Sequence, residues 1–433
     1  MKLGIIADDI TGATDAAGML TERGVRTLLL FQPDRIPAHR TRIAEFEAVV
    51  AGTRIRSASR ARAGQLARSV LGDLLAAGCD KIQVKYCSTF DSTREGNIGP
   101  SLDACLDLLG QPATVVCPAL PVNGRRVYQG HLFVGQRLLS DSPLRNHPLN
   151  PMTDSNLVRW LQHQTPRKVG LVPLEVLRSG AETLAARFAS PNPEGVEYWV
   201  VDAIDDTDLA LIADGTRSLK LVSGGSGITV GLARTHFPAR GPLDFSSRLQ
   251  SGEGPVMAIS GSMSPATQAQ NSWALANGFA DVSIDASEIV RGRSDAHAYA
   301  SGILPLLEKR RPVLVRSDAR TPADVQAVGQ SLGLTDAQTG ECIATTMGNI
   351  ARIVSDACPL RLLIVSGGET SGAVCQAMGV AALETGLPIE PGVPYVFPED
   401  RPDMVMVLKS GNFGGAGFYG RVVATVGAAP RRR

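Results

Sequence analysis

Short aliphatic runs alternate with longer amphipathic stretches along the first half of the chain. Each run has the length and composition of a buried strand, whereas apolar residues recur every three or four positions in between, as in a helix. Helices are predicted over 11–24, with a threonine as N-cap and Gly24 as the stop, and over 60–77 and 98–109. The predicted strands lie in LGIIA (3–7), TLLLF (27–31), AVVAGT (48–53), KIQVK (81–85) and ATVVCPAL (113–120).

The regular pattern is interrupted between residues 124 and 165, where Gly, Pro and Asn are frequent. A long irregular segment within a compact domain is usually functional or mobile. Strand signals return after it, in KVGLVPL (168–174), EYWVVDAI (197–204) and LKLVSGGSGI (219–228). Strands separated by helices imply a parallel sheet that is covered on both faces.

A second domain is predicted after a segment of linker composition at 238–254. We expect domains at 1–240 and 250–428, each an α/β unit with a mainly parallel sheet flanked by helices. The strands predicted for the second domain lie in PVMAISGS (255–262), DVSID (281–285), PVLVRS (312–317), LRLLIVSGG (360–368) and MVMVLKSG (404–411).

Composition and charge exclude several classes of protein. Of the 433 residues, 44% are hydrophobic and 20% are charged, as in folded globular proteins. The net charge of +1 gives no field that would attract nucleic acid or an acidic membrane. The seven cysteines are scattered without a CxxC pair, which favours reduced thiols in the cytoplasm. We find no signal-peptide pattern or 18-residue apolar run, so a soluble protein without a membrane partner is expected.

Acidic residues follow the first predicted strand. Ligands of such sheets collect at the carboxyl ends of the strands, and here Asp8 and Asp9 stand at that end, before Thr11, Gly12 and Thr14. Adjacent carboxylates can accept a proton from a substrate hydroxyl or hold Mg²⁺ through water, as phosphoryl transfer to an alcohol requires. The alternative is that one aspartate caps the helix and the other is solvated.

The stretch KYCSTFDSTREGNIGP (85–100) supplies complementary groups after another strand. Lys85 offers a positive charge in a chain with few lysines, and Ser88 and Thr89 offer hydroxyls. Such a set matches a polyhydroxylated carboxylate. Arg54, at the end of a further strand, is a candidate for a bidentate carboxylate contact, with a plain surface position as the alternative.

Glycine-rich ends of three predicted strands mark the second half, at 260–267, 366–374 and 408–420. Backbone N–H groups at such turns, together with a helix start, can hold phosphate oxygens, so three of them suggest a nucleotide. The P-loop pattern GxxxxGK[ST] is absent. GxGxxG occurs at 415–420 but lacks the βαβ unit and the acidic residue of a dinucleotide site, so we treat it as accidental.

These motifs resemble those of the four-carbon acid sugar kinases, two-domain enzymes that phosphorylate tetronates with ATP. The motifs run in order along the whole chain: IADDITGATD, KYCSTFDSTREGNIGP, CPALPVNGRRVYQGHLFVG, PMTDSNL, SGSMSPATQAQ, SGGETSGAV, PGVPYV and LKSGNFG. The long second motif and Glu369 are similar to those of the 3-oxo-tetronate kinases. A D-threonate or D-erythronate kinase of the same family is the alternative.

The resemblance implies that the first domain binds the acid sugar, the second binds ATP, and the active site lies in the cleft between them. It implies Asp9 or Asp8 as the base, with Lys85 as a further catalytic group and Mg²⁺ held partly through Glu369. It is compatible with a homo-oligomer. The implied contacts are Asp9, Arg54, Lys85, Ser88 and Thr89 for the substrate, and Ser260, Ser262, Gly367, Gly368, Glu369, Thr370 and Gly411 for ATP.

Two functions of other classes remain open from the residues alone. An NAD-dependent sugar-acid dehydrogenase would use the glycine-rich ends for its cofactor, although the dinucleotide fingerprint is missing. A non-catalytic sugar-acid sensor would keep the first site but would not need three phosphate-type turns.

Overall fold

The computed structural model describes residues 1–146, 150–188, 194–249, 253–318 and 322–426. The chain divides into two units, Met1–Pro242 and Leu243–Arg433. Of the predicted linker and second domain, residues 250–252, 319–321 and 427–428 lie outside the described residues. Within the described ranges, no helix combines the length and the apolar character needed to cross a membrane.

The sheet of the first unit is parallel. Its strands are β1 (Leu3–Ala7), β2 (Thr27–Leu30), β3 (Ala48–Gly52), β4 (Lys81–Lys85), β5 (Thr114–Cys117), β9 (Val169–Val172), β10 (Tyr198–Val201) and β11 (Leu221–Gly224). Their order is β2-β3-β1-β4-β11-β5-β10-β9. Most of these strands are aliphatic and buried on both faces, as expected where helices cover a parallel sheet.

Part of the irregular segment forms a small antiparallel sheet that the sequence analysis missed. Its strands are β6 (Arg125–Tyr128), β7 (His131–Val134) and β8 (Arg137–Leu138). Gln129 and Gly130 join β6 to β7 with φ angles of 49° and 69°. Two successive positive φ angles fit the twist of a two-residue hairpin, but Gln-Gly is a weaker sequence signal than Asn-Gly.

The helices of the first unit include the predicted ones and several short additions. They are α1 (Ile10–Thr21), α2 (Arg40–Ile43), α3 (Arg60–Ala76), α4 (Ile98–Leu109), α5 (Leu157–Gln162), α6 (Leu174–Leu177), α7 (Ala181–Phe188), α8 (Asp206–Gly215) and α9 (Ser226–His236). Gly24 follows α1 with a φ of 73°, a left-handed conformation that suits its predicted role as a stop.

The second unit has a mixed sheet. Its strands are β12 (Val256–Ser260), β13 (Ala280–Ile284), β14 (Val313–Ser317), β15 (Leu362–Ser366), β16 (Ala382–Glu390), β17 (Val393–Pro398) and β18 (Val405–Lys409). In the order β13-β14-β12-β15-β18-β17-β16, the first five strands are parallel, and β17 and β16 are antiparallel. The antiparallel pair was not predicted.

Helices and aromatic residues complete the second unit. The helices are α10 (Ser246–Leu249), α11 (Pro265–Ala276), α12 (Ala286–Val290), α13 (Ala296–Glu308), α14 (Pro322–Ser331), α15 (Asp336–Ala357), α16 (Gly368–Ala377) and α17 (Phe418–Val426). Phe245, Tyr395, Phe397 and Phe418 pack in one buried cluster with aliphatic strand residues. The prediction of two α/β units with mainly parallel sheets flanked by helices is confirmed.

Candidate active site

Asp8 and Asp9 follow the end of β1 and have different neighbours. Asp8 lines a pocket together with Ile6, and Val84 and Tyr86 of the neighbouring chain segment line the same pocket. Asp9 keeps the extended conformation, with φ −146° and ψ 164°, and its side chain turns towards α1. The adjacent carboxylates therefore have different surroundings.

Asp9 is the N-cap of α1, so the predicted threonine cap is wrong. Its Oδ1 accepts a hydrogen bond from the Gly12 N–H at 2.8 Å, and its Oδ2 accepts one from the Thr11 hydroxyl at 2.8 Å. An aspartate oxygen satisfies an otherwise unpaired amide at a helix start. Capping and catalysis are compatible roles, since the cap fixes the carboxylate in one orientation.

Arg56, which was not among the predicted site residues, connects the two aspartates. Its Nε and Nη2 donate to the two oxygens of Asp8 at 2.9 and 2.8 Å. Its Nη1 lies 3.1 Å from Asp9 and 3.6 Å from Asp91. Burial works against its charge, but Asp8 and Asp9 outweigh burial and place the pKa of Arg56 above its ordinary value. Asp8 has both oxygens engaged by this bidentate pair.

Asp9 is held as an anion. Burial pushes its pKa upwards, but the charges of Arg56 and Lys85 and the hydrogen bonds from Thr11 and Gly12 together bring the pKa below its ordinary value. At neutral pH the group is therefore a carboxylate that can accept a hydrogen bond.

Lys85 ends β4 on the same face of the sheet as α1. The residue is 3% exposed. Burial raises the pKa of Asp8 and of Asp15, and the charge of Lys85 opposes both shifts; it also contributes to the lowered pKa of Asp9. No hydrogen bond or ion pair of its ammonium group is found among the described residues. A cation in this state can receive an anionic ligand without first losing a protein partner.

Gly12 is the point at which Asp9 and Lys85 approach each other. A Cβ atom at this position would overlap both Lys85 Nζ and Asp9 Oδ1. Because both atoms crowd the same point of α1, the absence of a side chain at Gly12 is what allows the carboxylate and the ammonium to lie side by side.

Asp15 is a buried carboxyl group that the sequence analysis did not select, one turn after Gly12. Its Oδ2 accepts a hydrogen bond from Ser226 at the start of α9, and its Oδ1 has no partner within the described residues. Burial raises its pKa, opposed by the charge of Lys85. Its place in the IADDITGATD motif was the available signal, but burial next to Lys85 appears only in the fold.

The stretch that follows Lys85 is a fixed loop. Phe90 has a φ of 55°, which is rare for a residue with a side chain, and its ring packs edge-on against Tyr86 at 5.3 Å. Asn97 donates to the carbonyl groups of Ile55 and Ala58 at 2.8 and 2.6 Å. The second motif thereby also holds the short 3₁₀ turn Ile55–Ser57 that carries Arg56.

The remaining substrate candidates differ in position. Thr89 is buried and lies 3.1 Å from the Cys87 sulfur atom, and Ser88 is half-buried. The Arg54 side chain is exposed, whereas Arg56, two residues later, lies among the aspartates. The structure therefore brings Asp8, Asp9 and Lys85 together, and the role of Arg54 stays a prediction.

A pocket of about 230 Å³ is lined in part by Asp8. Besides Asp8 and Arg56, polar groups of the second motif line it, among them Asp91, Thr93 and Asn97. This volume is below the usual range for drug-sized ligands and suits a small polar molecule.

The three glycine-rich ends of the second unit meet, because β12, β15 and β18 are neighbours in its sheet. The Gly261 and Ser262 N–H groups both donate to the Ser366 carbonyl, at 3.0 and 3.2 Å. Ser264 donates to the Gly411 carbonyl at 2.6 Å. The three turns are thus held together at one edge of the sheet, and their binding of phosphate stays a prediction.

Close packing explains the glycines of this edge. A Cβ atom on Gly261 would overlap Thr370 Oγ1, and one on Gly411 would overlap Ser262 Oγ. Gly367, with a φ of 126°, has a conformation that only glycine adopts easily. Ser260 and Gly368 lie in the same turns, at the end of β12 and the start of α16.

Glu369 is an exposed carboxylate in the first turn of α16. Within the described ranges, no group of three or more acidic, His or Cys side chains could hold a metal ion. A single carboxylate still fits Mg²⁺, which usually takes one or two carboxylates together with water and substrate phosphates.

The GxGxxG match at 415–420 has a packing explanation. A Cβ atom on Gly420 would overlap the indole ring of Trp273. Gly420 therefore allows α17 to approach α11, and this role does not involve a dinucleotide.

Family models match both units. Residues 3–232 match the sugar-binding N-terminal domain, and residues 257–419 match the nucleotide-binding C-terminal domain. A 3-oxo-tetronate kinase of Burkholderia multivorans is 41% identical over 99% of this chain and 98% of its own length. A 3-oxo-tetronate kinase of Salmonella typhimurium is 37% identical over 97% of this chain and 98% of its own length.

The chain belongs to the 3-oxo-tetronate kinase family. This result confirms the resemblance to the four-carbon acid sugar kinases. A crystal structure of a family protein from Haemophilus influenzae has a TM-score of 0.77 and 32% identity, covering 98% of this chain and 100% of its own. The family domains place a sugar-binding fold around Asp9 and Lys85 and a nucleotide-binding fold around the glycine-rich edge.

Proposed function

We propose that the protein is an ATP-dependent kinase that phosphorylates the terminal 4-hydroxyl of 3-oxo-tetronate, giving the 4-phosphate and ADP. The observation that carries the proposal is the juxtaposition of Asp9, held as an anion, and Lys85, whose ammonium has no ion-pair partner among the described residues. The family of the chain and the names of its relatives support the choice of substrate.

Asp9 is the proposed base. Its carboxylate accepts a hydrogen bond from the 4-hydroxyl, orients that oxygen towards the γ-phosphorus and takes the proton as the O–P bond forms and ADP leaves. Asp8 is less suited to this role because Arg56 engages both of its oxygens. Asp8 and Arg56 instead fix the position of Asp9.

Lys85 is the proposed anchor of the substrate carboxylate. Its ammonium can form a charge-assisted hydrogen bond with an acid group. Ser88 and Thr89 are proposed to contact the hydroxyl and oxo groups, with Arg54 as a further carboxylate contact.

The glycine-rich edge is proposed to bind ATP. Ser262, Gly367, Thr370 and Gly411 contribute groups to three adjacent turns, and backbone amides there can stabilise charge on the phosphate oxygens. Mg²⁺, when bound, neutralises phosphate charge, and Glu369 is the residue of this edge that we propose to hold it.

The proposal is tested by ADP formation with purified protein, ATP, Mg²⁺ and a panel of four-carbon acids. We expect the highest kcat/KM with 3-oxo-tetronate. A higher kcat/KM with D-threonate or D-erythronate would show that the protein has the other substrate specificity of the same family. ADP formation with none of the acids would refute the kinase, and reduction of NAD with them would indicate a dehydrogenase.

Replacing Lys85 with methionine should raise the KM for 3-oxo-tetronate at least tenfold and leave the KM for ATP unchanged. The reason is the loss of one charge-assisted contact, which is worth about 1.5–3 kcal/mol. Steady-state kinetics with each substrate varied in turn measure the effect.

Lys81→Met is the matched control, since Lys81 is a buried lysine at the other end of β4, bonded to the carbonyl groups of Thr216 and Leu219. Both KM values of this variant should stay at the wild-type level. An equal rise in KM for both substrates of Lys85→Met would contradict the anchoring role.

Replacing Glu369 with glutamine should raise the Mg²⁺ concentration needed for half-maximal activity several-fold, because an amide oxygen is a weaker ligand than a carboxylate. Titration with Mg²⁺ at saturating ATP and acid measures this value. An unchanged Mg²⁺ requirement would remove Glu369 from the metal site.

A further inference from the structure

Lys409 is a buried lysine at the end of β18, and the kinase mechanism above gives it no role. It is 0% exposed. Its ammonium donates to the Ser410 carbonyl at 3.0 Å, to Thr267 Oγ1 at 3.2 Å and to the Gly411 carbonyl at 3.3 Å. Among the described residues, the hydrogen bonds of this ammonium all go to the turn that follows β18 or to α11 beside it.

The charge of Lys409 is not balanced by a direct carboxylate contact within the described ranges. Glu390 of β16 acts on it electrostatically, but Glu390 accepts a hydrogen bond from Arg421 at 2.6 Å. On the α17 side, the ring of Phe418 lies 5.9 Å from the ammonium. A buried cation without an ion-pair partner is costly, and a nearby bound anion would offset that cost.

The partners of Lys409 set the orientation of two peptide groups. The Gly411 carbonyl accepts hydrogen bonds from Ser264, Thr267 and Lys409, so it points into the protein. The carbonyl of Ser410 also accepts from Lys409. In a planar trans peptide the C=O and the following N–H point in opposite directions.

The N–H groups of Gly411 and Asn412 are therefore directed away from Lys409. No hydrogen bond of either amide is found among the described residues. Asn412 is exposed and Gly411 is half-buried. Two successive free amides with a cation behind them form an arrangement that suits the oxygens of a polyphosphate.

We propose that Lys409 is a positioning residue for nucleotide binding: it holds the Ser410 and Gly411 carbonyl groups inwards, so that the Gly411 and Asn412 amides bind the polyphosphate of ATP. This inference rests on the proposed function, because it assigns the turn to the phosphates of the same nucleotide. Lys409 does not touch the ligand, since the turn covers it.

Lys409→Met tests the role, because methionine fills a similar volume without the charge or the donors. We expect the affinity for ATP, measured by calorimetry without acid substrate, to fall at least tenfold. In turnover, the KM for ATP should rise and the KM for 3-oxo-tetronate should not change. Thermal unfolding should occur at or above the wild-type temperature, since a buried charge is removed.

The matched control is again Lys81→Met. Lys81 is likewise buried, its pKa is also lowered to about 8 by burial, and it also donates to two carbonyl groups, but these belong to the first unit. Its replacement should leave ATP affinity unchanged. Thr267→Val gives an independent test should Lys409→Met unfold, because it removes one donor to the Gly411 carbonyl and should also weaken ATP binding.

The pH dependence of ATP binding separates a charge effect from a packing effect. Burial lowers the pKa of Lys409 to about 8, and the charge of Glu390 opposes this shift. Around the ammonium, α11 presents the uncharged Thr267 and α17 presents the ring of Phe418. The wild-type affinity for ATP should therefore fall as the pH rises through 8, and the affinity of Lys409→Met should not show this fall.

The outcomes distinguish the inference from the function on which it rests. Wild-type ATP affinity in Lys409→Met, or in Thr267→Val if the first variant unfolds, overturns the positioning role and leaves the kinase intact. A wild-type protein that does not bind ATP overturns both. A protein that binds ATP in the predicted Lys409-dependent way, but phosphorylates no acid, supports the inference and refutes the proposed activity.

Discussion

Replacing Asp9 with asparagine should lower kcat for 3-oxo-tetronate by about 10²–10⁴ without unfolding the protein. Asparagine is as good an N-cap as aspartate, so the hydrogen bond from the Gly12 N–H can be kept. What is lost is the negative charge that receives the proton of the 4-hydroxyl. Steady-state kinetics together with circular dichroism of the purified variant measure both parts of the prediction.

Asp295→Asn is the matched control for this experiment. Asp295 is the N-cap of α13, and its side chain accepts a hydrogen bond from the His297 N–H at 2.9 Å. It is exposed and lies outside the proposed site. This variant should retain wild-type kcat. Near-normal turnover of a folded Asp9→Asn protein would reject Asp9 as the base and would favour Asp8 in that role.

A single methyl group at Gly12 should reduce kcat/KM for the acid by at least about 10², because misplacement of catalytic groups by about 1 Å has effects of this size. The added Cβ atom of Gly12→Ala would overlap both Lys85 Nζ and Asp9 Oδ1. Since both groups belong to the proposed acid site, ATP affinity should not change. Kinetics with the acid varied and calorimetry with ATP alone measure the two effects.

Gly72→Ala provides the comparison for Gly12→Ala. Gly72 also lies within a helix, and a Cβ atom there would meet no neighbouring atom of the described residues within 4 Å. Alanine at this position should leave the kinetics unchanged and stabilise the protein by roughly 0.5–1 kcal/mol, because alanine favours helix more than glycine does. Wild-type kinetics of Gly12→Ala would mean that the proximity of Asp9 and Lys85 is not needed for turnover.

Most of the parallel architecture could be predicted from the sequence because its strands are short aliphatic runs separated by helical periodicity. The antiparallel elements could not be predicted in this way. The strands β6 to β8 lie in a segment rich in turn residues, and β17 contains two prolines, Pro394 and Pro398, which weaken a strand signal. These strands form because they pair with neighbouring strands, and the local sequence pattern carries no information about that pairing.

The site residues at the ends of strands were predicted, but the contacts that link them to one another were not. Asp9 stands two residues after β1 and Lys85 is the last residue of β4, so position in the sequence indicates them. Arg56 follows the strand end by several residues, and only the 3₁₀ turn Ile55–Ser57 brings it to Asp8 and Asp9. Sequence reasoning favoured Arg54 because it is closer to the strand, although its side chain is exposed.

The engagement of Arg56 by three aspartates has a consequence for turnover. Phosphorylation adds negative charge to the sugar acid, and Arg56 has no further capacity to balance it, since Asp8, Asp9 and Asp91 already surround the guanidinium. In the proposed binding mode, the added charge of the product would therefore lie beside carboxylates that already share Arg56. We therefore expect the phosphorylated product to bind this site less tightly than the substrate does.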